Sequence, residues 1–70
     1  MKLTIGQYIH KLRNEQGLTL TQLGAMLGLD SGALSKIENG KKELDQKCLP
    51  RLAETFALDL DELKDEFFTL

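Results

Sequence analysis

Tryptophan is absent from this 70-residue chain, and cysteine, proline, histidine and tyrosine each occur once. A single cysteine excludes an internal disulfide framework, and one cysteine with one histidine leaves no cluster able to cage a metal, so no metal or other cofactor is expected. No apolar run approaches the ~20 residues a membrane helix needs. Met1 and Lys2 lead into an amphipathic segment, without the apolar block and small-residue cleavage site of a secretion signal. These absences describe a cytoplasmic protein with no membrane partner. A glycine-rich phosphate loop is missing too, because Gly24, Gly28, Gly32 and Gly40 are spaced as helix breaks and packing positions.

The chain is also short. At this length residues 1–70 form a single domain that buries about 60% of its unfolded surface, with little cleft in which opposed carboxylates could work, so an enzyme is not expected. His10 sits beside Lys11 with no second histidine and no nucleophile in view, and reads as a surface residue. Cys48 reads as a small apolar packing residue or a free thiol. The carboxylates between Asp59 and Glu66 lie along one helical segment, where they serve as caps and a solvated face.

Charge is unevenly spread. The net charge is -2 and the isoelectric point near 5.2, which alone argues against a generic nucleic-acid binder. Yet residues 1–47 carry seven basic against five acidic side chains, a balance of +2, whereas residues 48–70 carry two against six, a balance of -4. A polyanion would be met by the first part and repelled by the second.

Helical punctuation recurs along the whole chain. Thr4 with Gln7 makes a capping box, and Ile5, Tyr8 or Ile9, and Leu12 continue at helical spacing until Gly17, predicting a helix over about 5–16. Thr19 with Gln22 opens a second helix that Gly28 ends, and Asp30 caps a third that stops at Asn39-Gly40. Leu23, Met26 and Leu27 form one inward stripe and Leu34 and Ile37 another, leaving Ser31, Gly32, Ser35 and Lys36 toward solvent. A polar loop from Lys41 to Leu44 leads to Asp45, a cap for a helix bearing Leu49, Leu52, Ala53 and Phe56, whose regular part begins near Leu49 or bends at Pro50. Asp59 with Glu62 opens a last helix with Leu60, Leu63 and Phe67 inward. The expectation is all-α: a compact bundle of five helices in which residues 19–39 form a helix-turn-helix with its second helix aimed outward.

With Ile9 and Leu12-Arg13, Leu18-Thr19, Leu23-Gly24, the run Leu34-Ser35-Lys36-Ile37-Glu38-Asn39-Gly40 and the closing Leu58-Asp59-Leu60-Asp61-Glu62-Leu63, the chain resembles the Cro/phage-repressor type of helix-turn-helix regulator, the XRE-like family. The resemblance covers nearly all of it. It implies a lambda-repressor-like five-helix fold that binds double-stranded DNA as a homodimer and regulates transcription. It further implies that Arg13 and Glu38 form a structural ion pair between the first helix and the end of the third. The base-reading positions fall on Ser31, Gly32 and Lys36, with Ser35 close by, and of these Lys36 has the reach to meet a guanine. Asn39, Gly40 and Lys41, followed by Lys42, fall where the family meets a phosphate. At the start of the second helix Leu20 replaces the family's usual glutamine, so Thr19, Thr21 and Gln22 are the candidates for phosphate contact there, helped by the helix's free N–H groups. Gly24 stands where alanine is usual and permits a close crossing of the second and third helices.

Phe67 and Phe68 are adjacent and cannot both enter one core from one helix, so one of them is expected to be exposed. With Leu70 they are the candidates for a dimer interface that sets two recognition helices about one DNA turn, ~34 Å, apart. The alternative reading is a protein-binding antitoxin or anti-regulator built on the same bundle. Overall acidity, a recognition helix thin in base-reading side chains and the missing glutamine favour that alternative.

Overall fold

The computed structural model describes residues 3–68, so Leu70 lies outside the described residues. Within them the chain runs through α1 (Ile5–Glu15), α2 (Leu20–Leu27), α3 (Ser31–Glu38), a single 3-10 turn (Gln46–Cys48), α4 (Leu49–Phe56) and α5 (Leu60–Phe68). Among the described residues there is no strand. α1, α2, α3 and α5 start at the caps expected of them. Thr4 Oγ1 accepts the Gln7 N–H at 3.1 Å and Thr19 Oγ1 the Gln22 N–H at 3.0 Å, each glutamine carbonyl closing its box onto the cap's own N–H. Asp30 Oδ1 accepts the N–H of Ala33, and Asp59 Oδ1 those of Asp61 and Glu62.

Four helices end in one device. An N–H two or three residues past the end of the helix reaches back to the carbonyl five residues earlier: Leu18 to Arg13, Leu29 to Gly24, Lys41 to Lys36 and Leu58 to Ala53. That closure requires a left-handed residue just before it. Gly17, Gly28 and Gly40 supply it, and so does Ala57 at φ 54°, where the Cβ makes the conformation costly.

Ile9, Leu23, Leu34, Leu49 and Leu52 are wholly buried at the centre, with Leu27, Ile37, Leu44, Ala53 and Leu63 around them. α3 packs on α1 and α2, while α5 makes its main contacts with α4. Two glycines permit close approaches, Gly6 to α3 and Gly24 to the turn that precedes it. A Cβ on Gly24 would stand 2.5 Å from the Leu29 carbonyl oxygen, and one on Gly6 would overlap the carbonyl oxygen of Ile37.

Three expectations need correction. Met26 is 48% exposed, because the buried face of α2 is centred between Leu23, Gly24 and Leu27 and Met26 lies roughly 100° from its middle at 3.6 residues per turn. The loop after α3 is not wholly polar in its packing, since Leu44 turns inward and completes the core. Asp45 caps the 3-10 turn and not α4 itself, its Oδ1 accepting the Lys47 N–H at 3.0 Å, while α4 begins at Leu49 as expected, with Pro50 in its first turn where no N–H is needed.

Candidate nucleic-acid interface

α3 is an eight-residue rod with two unlike sides. Leu34 and Ile37 anchor it in the core, while Ser31, Gly32 and Lys36 are exposed. Ser35, expected to face outward, is half-buried, because Asn39 folds back over it and donates from Nδ2 to the Ser35 carbonyl at 2.9 Å. Lys36 lies in the last turn, where its ammonium opposes the negative end of the helix dipole.

The rod is braced from behind. Glu38, the last residue of α3, keeps a side chain only 5% exposed, and Arg13 of α1 reaches it with Nε to Oε2 at 2.8 Å and Nη2 to Oε1 at 3.0 Å. The Nη1 of the same guanidinium donates to the Leu18 carbonyl at 2.9 Å, so Arg13 ties α1 both to the end of α3 and to the approach to α2. Burial alone would push the Glu38 carboxyl up, but the hydrogen bonds from Arg13 and His10, together with the charge of Arg13, outweigh it and hold the group below the usual carboxylate value. The hydrogen bond to Glu38 likewise raises the Arg13 guanidinium, against the smaller opposing effect of its burial. The ion pair expected between these two residues is present.

His10 is not the isolated surface residue the sequence suggested. Although 54% exposed, it sits 2.7 Å from Glu38 Oε1 through Nδ1. Glu38 lies 28 residues away in sequence, so nothing local to His10 points to this partner.

The turn after α3 differs from expectation in one respect. Gly40 falls where the resemblance implies a phosphate contact, but its N–H donates to the Ile37 carbonyl at 3.1 Å, as the helix closure requires. One N–H of the Asn39 amide is similarly occupied. Lys41 and Lys42 remain exposed. At the start of α2, Thr19, Thr21 and Gln22 are exposed, with the Gln22 carbonyl held by the capping box. Leu20 is half-buried and packs on the core, which explains in steric terms why a leucine suits that position. The acidic side chains Asp61, Glu62, Asp65 and Glu66 are exposed on α5, which is not a principal neighbour of α3, so the charge asymmetry of the sequence persists in space.

Phe67 and Phe68 are both half-buried. The expected split into one buried and one exposed ring does not occur, because Phe67 leaves the core axis to stack on Tyr8 at a centroid distance of 5.5 Å and Phe68 packs at the margin of the core. Between α1 and α5 runs an open groove of about 560 Å³, lined by Leu3, Tyr8, Leu58 and Phe67 and rimmed by Lys11 and the α5 carboxylates.

Two capped helices in the order and spacing of α2 and α3, the second presented outward, define a helix-turn-helix, and the helix-turn-helix family pattern matches residues 9–63. The chain belongs to the helix-turn-helix family. This helix-turn-helix protein is 31% identical over 61 residues to the HTH-type transcriptional repressor RghR of Bacillus subtilis, an alignment covering 86% of this chain and 45% of RghR. It is 38% identical over 60 residues to the ImmF control region 10 kDa protein of Bacillus phage phi105, covering 86% of this chain and 67% of that protein. Its fold superposes with a TM-score of 0.72 and 26% identity on the biofilm master regulator SinR, solved in complex with DNA, over 86% of this chain and 97% of that one. The chain thus spans under half the length of the Bacillus repressor. No described helix is long and apolar enough to cross a membrane.

Proposed function

We propose that this helix-turn-helix protein is a sequence-specific DNA-binding transcriptional regulator that recognises an inverted-repeat operator as a homodimer and represses by occupancy. The observation that carries the reading is the exposed hydrophilic face of α3, held rigid from behind by the buried Arg13–Glu38 pair, in a fold shared with a regulator seen on DNA. Lys36 reads a base edge in the major groove, and Ser31 and Gly32 bring the start of α3 against the groove. Ser35 has a smaller part, since Asn39 partly covers it. Phosphates are held by Lys41 and Lys42 after α3, and at the start of α2 by the hydroxyls of Thr19 and Thr21, the Gln22 amide and first-turn N–H groups that no helical carbonyl can reach. Asn39 and Gly40 shape the turn that carries Lys41, the Asn39 amide nitrogen turning back to the carbonyl and hydroxyl of Ser35. Phe67 and Phe68, with Leu70, border the surface through which two copies meet.

A gel shift on the duplex upstream of the protein's own gene, with and without competitor, tests the reading. Affinity falls by about 10³ to 10⁵ between 50 and 200 mM salt if the dimer neutralises roughly 6 to 10 phosphates. Lys36→Ala relaxes preference at one position of each half-site, and Lys41→Ala weakens all sequences about equally. Binding indifferent to salt, or none at low salt, refutes the proposal and turns attention to a protein partner. Sedimentation of a chain lacking residues 67–70 tests the dimer: an unchanged dimer removes this end from the interface.

A further inference from the structure

His10 is the one histidine of the chain, and the DNA contacts proposed above leave it unused. Its surroundings determine where its proton sits. Glu38 is ionised and can only accept, so the nitrogen 2.7 Å from its Oε1, His10 Nδ1, carries the hydrogen. Asn14 Nδ2 lies 3.0 Å from His10 Nε2 and donates to it, which is the pairing expected of a neutral ring protonated on Nδ1. Arg13 Nη2, 3.3 Å from the same Nδ1, then faces a second donor, and both converge on Oε1. Glu38 therefore receives three hydrogen bonds, two from Arg13 and one from His10.

The third bond falls at a sensitive place. The Lys36 carbonyl accepts the Lys41 N–H at 2.8 Å, so the two lysines proposed to meet the duplex move with the last turn of α3. That turn is pressed against α1, where Gly6 leaves no room for a Cβ beside the Ile37 carbonyl. The two bonds from Arg13 set the plane of the carboxylate, and both come from one flexible side chain. His10 adds a third bond from a second residue of α1, so Glu38 is held from two side chains instead of one.

We propose that His10, as the Nδ1–H tautomer oriented by Asn14, is a positioning residue for DNA binding: its hydrogen bond to Glu38 fixes the last turn of α3 and with it Lys36 and Lys41. The inference rests on the DNA-binding reading. Its test uses the full chain and a duplex that the wild-type protein selects from a random-sequence pool, at temperatures where circular dichroism shows every variant fully folded. His10→Leu, which keeps bulk without a donor, weakens binding about 2- to 10-fold, the worth of one net hydrogen bond. His10→Gln, whose amide donates to Glu38, restores most of it. Long-range proton–nitrogen spectra at about pH 8, where imidazoles are ordinarily neutral, show His10 protonated on Nδ1.

A ring protonated on Nε2, an affinity unaltered in His10→Leu, or a loss that His10→Gln does not repair overturns the assignment. If the wild-type chain selects no duplex at all, the DNA-binding reading falls and the positioning role falls with it. That outcome is distinct because it is read on the wild type alone.

Discussion

Replacing Gly32 by alanine separates what α3 needs as a helix from what its partner needs of it. Gly32 is the second residue of α3, its φ is not positive, and a Cβ there would meet only Asp30 Oδ1 at 3.4 Å, an ordinary contact. Nothing among the described residues requires glycine at this position. Alanine is favoured over glycine by about 1 kcal/mol in a helix interior and by less in the first turn, so the variant gains roughly 0.5–1 kcal/mol. For a domain of this size that raises the melting temperature by roughly 2–8 °C. The same change at Gly6 or Gly24 has the opposite sign, since there the methyl meets the backbone carbonyls of Ile37 and Leu29. If the start of α3 lies against a groove floor, the Gly32 methyl occupies space that DNA must fill, and affinity for the selected duplex falls at least about 10-fold, or ~1.4 kcal/mol. Thermal melts by circular dichroism and anisotropy titrations with a labelled duplex read the two effects separately. A destabilised variant would refute the account of the first turn. A stabilised variant that binds DNA as tightly as the wild type would refute the close approach.

Two further outcomes follow from the helix ends and the buried pair. Ala57→Gly relieves the left-handed strain at φ 54° on an exposed residue with no packing to lose, and after the greater unfolded-state freedom of glycine is set against it the gain is about 0.5–1 kcal/mol, seen as a raised denaturation midpoint. Because the folded pKa of Glu38 is depressed, its contribution is fully present above the ordinary carboxylate value of about 4.3 and is lost as pH falls below that, through the lower folded value. Urea denaturation at a series of pH values shows this loss in the wild type, whereas Glu38→Gln is already weakened by about 3 kcal/mol at neutral pH and falls less steeply in acid.

The elements of this bundle were legible because their signals are local. A capping box occupies four consecutive residues, and the Thr4–Gln7 and Thr19–Gln22 pairs could be read without knowing what the helices pack against. Gly28 and Gly40 marked helix ends for the same reason. The Arg13–Glu38 pair is not local, and it was foreseen only through the family resemblance. His10 shows the limit of both routes. Its link to Glu38 spans 28 residues, and no element of the resemblance singled it out. Leu44 escaped for a related reason: an irregular loop has no periodicity, so nothing within it distinguishes a leucine that returns to the core from one that does not. The Gly40 N–H illustrates a third kind of gap. Left-handed glycine was read correctly, but the closure that demands it also consumes its donor, since the Ile37 carbonyl would otherwise lack a partner. In the proposed complex the turn after α3 therefore meets a phosphate through its lysines more than through its backbone, and its affinity depends on ammonium charge and hence on salt.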